Sequence, residues 1–183
     1  EAYYGAQWNK AALHLHPLKY ALGLAKAALD AGVTIYENSR VQSYSGTPVI
    51  VKTGQGQVTA SELILACNGY IEDLEPKING YIMPINNFVL ATEPLSPEIL
   101  ASVVPKDTSM GDSRFVVNYW KLSGDNRLIF GGGENYRRGF PSDIKGFVQK
   151  YMLQVYPQLS DTQIDYGWGG TLAITMNRLP HFG

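Results

Sequence analysis

Five consecutive apolar residues, Leu63-Ile64-Leu65-Ala66-Cys67, run directly into Asn68-Gly69-Tyr70. A strand with one wet face alternates in polarity, whereas one that is apolar at every position must be covered on both faces. The run therefore predicts a central strand of a mainly parallel sheet, and such a sheet needs crossover helices. One stands upstream. Leu18, Ala21, Leu22, Ala25, Ala28 and Leu29 recur at three- and four-residue spacing between Pro17 and about Ala31, which is one apolar helical face. Pro17 suits the first turn and Gly32 a left-handed C-terminal cap. The β-rich Val33-Thr34-Ile35-Tyr36 follows, then a second run around Val41. Helix, glycine, strand is half of a βαβ crossover.

The texture then shifts. Residues 48–53 and 57–60 flank Gly54-Gln55-Gly56, which predicts a tight hairpin. Beyond residue 80, the runs at 81–93, 114–122 and 127–131 alternate and are rich in aromatic and β-branched residues, with turn residues such as Ser123-Gly124-Asp125-Asn126 between them. That is the pattern of antiparallel sheet. A last helix is predicted from Ser142 to about Tyr156, striped by Ile144, Phe147, Val148, Tyr151, Met152 and Val155; Ser142 would cap it and Pro157 would stop it. The expected fold class is α+β: an α/β fragment followed by an antiparallel-sheet domain with flanking helices.

Bulk properties narrow the function. With 183 residues, 45% hydrophobic and 17% charged, the chain has a globular composition. Its 15 basic and 16 acidic residues leave a formal net charge of −1, with no basic stripe for nucleic acid or an anionic membrane. The apolar runs are too short to span a bilayer. The single cysteine, Cys67, cannot form an intrachain disulfide, which points to a reducing, cytoplasmic setting. Its place at the end of an apolar run predicts a small buried hydrophobe rather than a reactive thiolate.

No self-sufficient active site follows from the residues alone. Gly131-Gly132-Gly133 follows a strand, but no Lys-Ser/Thr comes next, and Glu134 would repel a phosphate. The dinucleotide fingerprint G-x-G-x-x-G is absent. His14 and His16 lie two apart without a nearby carboxylate or thiol cluster, so no metal site is expected; His14-Leu15-His16-Pro17 is a helix entry with satisfied polar groups. Lys121, Lys145, Lys150, Arg137 and Arg138 are expected to be solvated. Tyr119, Trp120, Phe130, Tyr136 and Phe140 supply either a pocket wall or a core, and composition leaves both open.

Several stretches in order resemble the D-amino-acid-oxidase-like superfamily of FAD-dependent amine oxidases. Residues 14–41 resemble its helix and strand leading to the adenine end of FAD. Residues 63–70 are similar to a strand that closes on the cofactor, and 127–133 to a substrate-domain strand with paired glycines. Trp168, Gly170, Thr175, Pro180 and Gly183 fall on the positions of a pattern W-x-G-x-R-P-x-T-x-D-x-x-P-x-x-G. Within the superfamily, His14-Leu15-His16-Pro17, Asn68-Gly69-Tyr70, Ala91 to Leu95 and Asn177 to His181 are most similar to the gamma-glutamylputrescine oxidase subgroup.

The resemblance implies hydride transfer from an amine-bearing carbon to flavin, and cofactor contacts at Val41, Ala66, Gly69, Gly170 and Pro180. It places Tyr119 and Leu172 in the substrate pocket and implies a small-molecule amine as the partner. Leu172 and Ala173 stand where amino-acid oxidases carry Arg-Pro, and Asn177 where they carry an acid. A leucine cannot pair with a carboxylate, which argues for an amine without an α-carboxylate at the reacting carbon. No catalytic residue is assigned.

The expected organisation is a partial FAD-binding domain over 1–78, a substrate-binding sheet over 79–166 and a return segment toward the flavin over 167–183. The chain reads as a fragment that lacks the nucleotide-binding fingerprint and a C-terminal flavin-contacting part. FAD is expected in the full-length protein and not to be retained by the fragment. A glycine or sarcosine oxidase and a non-catalytic small-molecule-binding module are the alternative readings.

Overall fold

A computed structural model describes residues 2–104, 106 and 108–180. The chain divides into two compact units, one of residues 16–83 with 173–183 and one of residues 1–15 with 84–172.

In the first unit, α1 spans Pro17–Asp30. The side chain of His16 caps it, Nδ1 accepting from the Lys19 N–H at 3.4 Å, so this histidine is the satisfied helix entry that the sequence suggested. Gly32 takes φ +88°, the left-handed conformation that ends helices cheaply at glycine. No residue of α1 is buried, and Leu18 and Leu22 remain more than half exposed. Strands β1 (Val41–Ser45), β2 (Val49–Thr53) and β3 (Gln57–Ala60) form an antiparallel meander. Its second turn closes through Thr53 N–H to Gly56 O at 2.8 Å. A short helix, α2, spans Pro76–Asn79.

Two expectations for this unit fail. Val33–Tyr36 and Leu63–Cys67 are not laddered, and among the described residues no parallel pairing occurs. An extended segment becomes a strand only when another lends it hydrogen-bond partners, and no described segment does so here. Ile64 accordingly stands 87% exposed. Cys67 is half-buried, not a core residue, because the segment it ends is uncovered.

The second unit is a five-stranded sheet backed by a helix. It comprises β4 (Ile82–Pro94), α3 (Pro97–Val103), β5 (Met110–Gly111), β6 (Tyr119–Leu122), β7 (Arg127–Asn135), α4 (Ile144–Val155) and β8 (Ile164–Thr175). The strand order is β5-β6-β7-β4-β8, and β5–β6, β6–β7 and β4–β7 pair antiparallel. The α+β class is as expected. The run from 114 is shorter than its polarity suggested, since β6 begins at Tyr119. Residues 112–118 instead form a loop around Asp112, whose carboxylate accepts from Asn118 N–H (2.9 Å), Asn118 Nδ2 (3.0 Å) and the Tyr3 hydroxyl (2.8 Å).

One face of this sheet packs on α4. Phe88, Leu90, Leu128, Phe130, Val148 and Met152 are fully buried together, and Trp120 stacks on Phe130 with centroids 5.5 Å apart. The stripe on α4 is core, as its spacing implies. Its cap is Asp143, however, not Ser142: Oδ1 of Asp143 accepts from the Gly146 N–H at 2.9 Å.

Candidate functional site

The sheet's other face is open, and the glycines of β8 show which side chains it carries. A side chain at Gly169 would meet Phe88, and one at Gly167 would meet Ile144 and Lys145 of α4. Those positions therefore face the core. With a period of two, Tyr166, Trp168, Gly170 and Leu172 face away from it. On β6, Trp120 points inward, so Tyr119 and Lys121 point outward beside Gly131 and Ile129, their register partners. Tyr119, Gly170 and Leu172, anticipated from sequence, thus share one sheet face. Tyr119 and Leu172 are 39% and 43% exposed.

The Tyr119 ring is held in place. It lies over Gly131, where a Cβ would fall into the ring, 2.5 Å from the hydroxyl oxygen. The hydroxyl donates to Asn87 Oδ1 at 2.6 Å, and Asn87 Nδ2 donates to Gly133 O at 3.3 Å. Loss of water around the phenol raises its pKa above the ordinary value. The triple glycine is therefore a packing notch inside a strand and not a strand-end turn.

Arg127 stacks over Tyr166 at 5.3 Å from the ring centroid. Its guanidinium is spoken for: it pairs with Asp125 (2.7 Å) and Asp165 and donates to Thr92 O at 2.8 Å. Its hydrogen bond, foremost, holds Asp165 below the usual carboxylate range. Lys121, expected to be solvated, donates to Leu15 O at 2.7 Å and lies 3.3 Å from His14 Nδ1.

Beyond the sheet, residues 135–141 leave β7 as a loop pinned from below. Asn86 is 5% exposed; its Nδ2 donates to Arg137 O (2.9 Å) and Gly139 O (3.1 Å), and its Oδ1 accepts from Thr171 (2.8 Å). The loop encloses an open cleft of about 450 Å³ lined by Glu134, Asn135, Arg137, Arg138, Phe140 and Phe147, among others.

The other unit holds a cavity of about 490 Å³, lined by Arg40, Val41, Leu65, Cys67, Tyr70 and Glu72, among others. Val41 is thus in a cavity, while Ala66 is exposed beside it and Gly69 lies in the following turn. Asn68, at φ +49°, controls this corner: its Oδ1 accepts from Gly69 N–H (2.8 Å) and Ala173 N–H (2.9 Å). Thr175 to Leu179 close a turn in which Asn177 Oδ1 accepts from Leu179 N–H at 3.0 Å. Pro180 follows, exposed. His181 and Gly183 lie outside the described residues.

Comparison with known proteins gives this geometry a family. The whole chain, residues 1–183, matches the FAD dependent oxidoreductase (DAO) family. The chain belongs to that family. It is similar to a "Probable oxidoreductase OrdL" of Haemophilus influenzae, 42% identical over the full chain and 43% of that protein. It is also similar to the gamma-glutamylputrescine oxidoreductase of Escherichia coli, 38% identical over the full chain and 43% of that protein. The chain thus spans less than half the length of these relatives. In fold it is similar to glycine oxidase from Geobacillus kaustophilus (TM-score 0.70, 19% identity, 89% of this chain and 44% of that one). It is equally similar to L-proline dehydrogenase from P. horikoshii (TM-score 0.70, 19% identity, 91% and 46%).

The cavity of residues 16–83 suits one end of FAD. Val41 and Leu65 offer apolar surface for a flat ring, and the carboxylates of Glu72 and Asp73 can accept from ribose hydroxyls or an exocyclic amine. Arg40, a cation on its wall, is already paired with Glu72. The donor set fits an adenosine and not a pyrophosphate. Asn68, Asn86, Asn87 and Asp112 were not picked out by sequence reasoning. A usable signal existed for two of them, since adjacent asparagines inside an apolar strand are unfavourable there and imply specific partners.

Proposed function

We propose that this chain is the substrate-binding sheet and part of the cofactor-binding region of an FAD-dependent amine oxidase. The carrying observation is the open sheet face of a DAO-family chain, on which Tyr119, Trp168, Gly170 and Leu172 stand together without a free cation to receive an α-carboxylate. Arg127, beside Tyr166, is neutralised by Asp125 and Asp165. An amino acid bound there would leave its carboxylate unpaired at a semi-apolar surface, which is costly. An amine lacking that group would not.

In this reading Val41, Ala66 and Gly69 contact the adenosine end of FAD, and Gly170 and Pro180 approach its ring system. When bound, the flavin accepts a hydride from the amine-bearing carbon; the resulting imine takes up water to give an aldehyde and ammonia, and oxygen removes the electrons as hydrogen peroxide. The protein's part is to orient the amine and exclude water. Tyr119, fixed by Asn87 and Gly131, limits the positions an amine can adopt, and Trp168 and Leu172 supply apolar wall. The partner is a small-molecule amine, and the single cysteine favours a cytoplasmic setting. Among the described residues no helix is long and apolar enough to cross a membrane.

The test uses a protein of the relatives' full length that contains this chain. Flavin absorbance near about 450 nm and peroxide release with gamma-glutamylputrescine are expected, with much slower release with glycine or sarcosine. Equal or faster turnover of glycine would favour an amino-acid oxidase, and absence of flavin would leave a non-catalytic binding module.

A further inference from the structure

We propose that the cleft formed by the 135–141 loop binds the far end of the substrate, and that this end is a zwitterionic α-amino acid. Arg137 and Arg138 receive its carboxylate and Glu134 its ammonium. The inference rests on the oxidase reading and goes further, by assigning a site to the part of the amine that does not react.

The cleft carries both signs of charge in separate places. Arg137 and Arg138 are exposed, and among the described residues neither guanidinium meets a carboxylate. Two adjacent guanidiniums that stay unpaired can receive a carboxylate through parallel N–H donors. Glu134 lines the same cleft and is half-buried, with its carboxylate accepting from the Tyr136 hydroxyl. A carboxylate retains acceptor capacity beyond one hydroxyl donor, enough for an ammonium. Phe140 and Phe147 form the apolar part of the wall.

The loop is also built to hold that shape. Phe140 packs edge-on against buried Phe88 with centroids 5.4 Å apart. Asn86 fixes two loop carbonyls from beneath, and Asn135 Oδ1 accepts from the Arg137 N–H at 2.7 Å. Buried amides holding a surface loop at three points are more than solubility requires, and pre-ordering lowers the entropy lost on binding.

Position ties the cleft to the open face. Glu134 stands opposite Asn87 on the sheet, and Asn87 receives the Tyr119 hydroxyl. Tyr119 pairs with Gly131, which stands opposite Val89, two residues along β4 from Asn87. The offset from Tyr119 to Glu134 is therefore roughly 7 Å along the strand. A substrate that reaches from the open face into the cleft needs an extended aliphatic spacer between its reacting amine and its amino-acid end. A γ-glutamyl conjugate of a diamine has that form; glycine, sarcosine and simple monoamines do not.

The experiment uses the full-length, FAD-loaded protein. One arm measures calorimetrically the binding of γ-glutamylethylamide, which carries the zwitterion but no oxidisable amine. We expect binding to the unmutated protein, and a loss of at least about tenfold in the Arg137→Gln/Arg138→Gln double variant and in Glu134→Gln, equivalent to ~1.4 kcal/mol. A second arm needs no variant: amidation of the substrate's α-carboxylate should lower kcat/KM at least about tenfold through KM. Equal binding by variants and parent, or indifference to amidation, overturns the proposal. If no amine is oxidised at all, the oxidase reading falls, while the calorimetric arm still decides whether the cleft holds an α-amino acid.

Discussion

Replacing the glycines of β7 one at a time separates two kinds of notch in a single strand. At Gly132 an added Cβ would lie 2.5 Å from Asn118 Oδ1 and 3.2 Å from Phe130 Cε1. Asn118 is 1% exposed and bound twice to Asp112, and Phe130 is fully buried. Neither can move without breaking a buried hydrogen bond to a charged partner, each worth about 1.5–3 kcal/mol, or repacking the core at about 1–3 kcal/mol. Gly132→Ala should therefore destabilise by about 3 kcal/mol.

At Gly131 the obstacle is Tyr119, whose ring sits at the surface and can swing out. That movement loses one hydrogen bond to Asn87, about 1 kcal/mol, while alanine regains about 0.5–1 kcal/mol over glycine in a strand. Gly131→Ala should be within about 1 kcal/mol of the parent, yet it should raise KM for the amine because Tyr119 leaves the substrate face. Thermal melts followed by near-UV circular dichroism, with steady-state kinetics on the full-length protein, read both quantities. If Gly131→Ala destabilises as much as Gly132→Ala, or leaves KM unchanged, the packing argument is wrong.

Other outcomes follow from the same geometry. Burial pushes the Tyr156 phenol up to about 12, and its hydroxyl donates to Val103 O at 2.9 Å. Because the folded pKa is raised, this stability is complete below pH 10 and is lost as pH rises toward 12. Tyr156→Phe should cost about 1–3 kcal/mol at neutral pH by orphaning the Val103 carbonyl, and it should flatten the alkaline limb of a Tm-against-pH curve. Asp165 is held below its ordinary 3.8 chiefly by the Arg127 hydrogen bond, so its contribution is present above about pH 4 and disappears as pH falls through the folded value. Asp165→Asn should shrink the acid limb of the same curve and leave the alkaline limb alone. Met152→Ala, at a fully buried core position, should cost about 2–5 kcal/mol by urea denaturation. Asn68→Ala removes the acceptor for two N–H groups and puts alanine at φ +49°. It should weaken FAD retention by the full-length protein, measured as flavin released per subunit on dilution.

Much of the secondary structure was legible because it is local. The spacing from Leu18 to Leu29, the glycines around Gln55 and the stripe from Ile144 to Val155 each encode an element within about fifteen residues of chain. The alternation beyond residue 80 likewise revealed antiparallel sheet. At the candidate site, Tyr119 and Leu172 were named from resemblance, but their shared face was not visible: strand phase depends on which neighbours are buried, and those lie on β4 and α4. The cap at Asp143 rather than Ser142 is a one-residue error of the kind propensity cannot avoid, since both side chains can accept the same N–H.

Sequence by itself determined the family, the α+β class and the helices and hairpin, because periodicity, turn chemistry and motif order are properties of contiguous residues. It could not say whether Leu63–Cys67 would be paired, because a ladder belongs to two segments and not to one. Nor could it tell a phosphate-like turn from a packing notch at Gly131–Gly133, a difference set by where Tyr119, Asn118 and Tyr151 arrive. Only the tertiary structure neutralised Arg127 with Asp165, 38 residues away, and pinned the 135–141 loop with Asn86, 51 residues before Arg137. Those contacts couple distant parts of the chain through hydrogen bonds and charge, and they decide which cations remain free for a ligand.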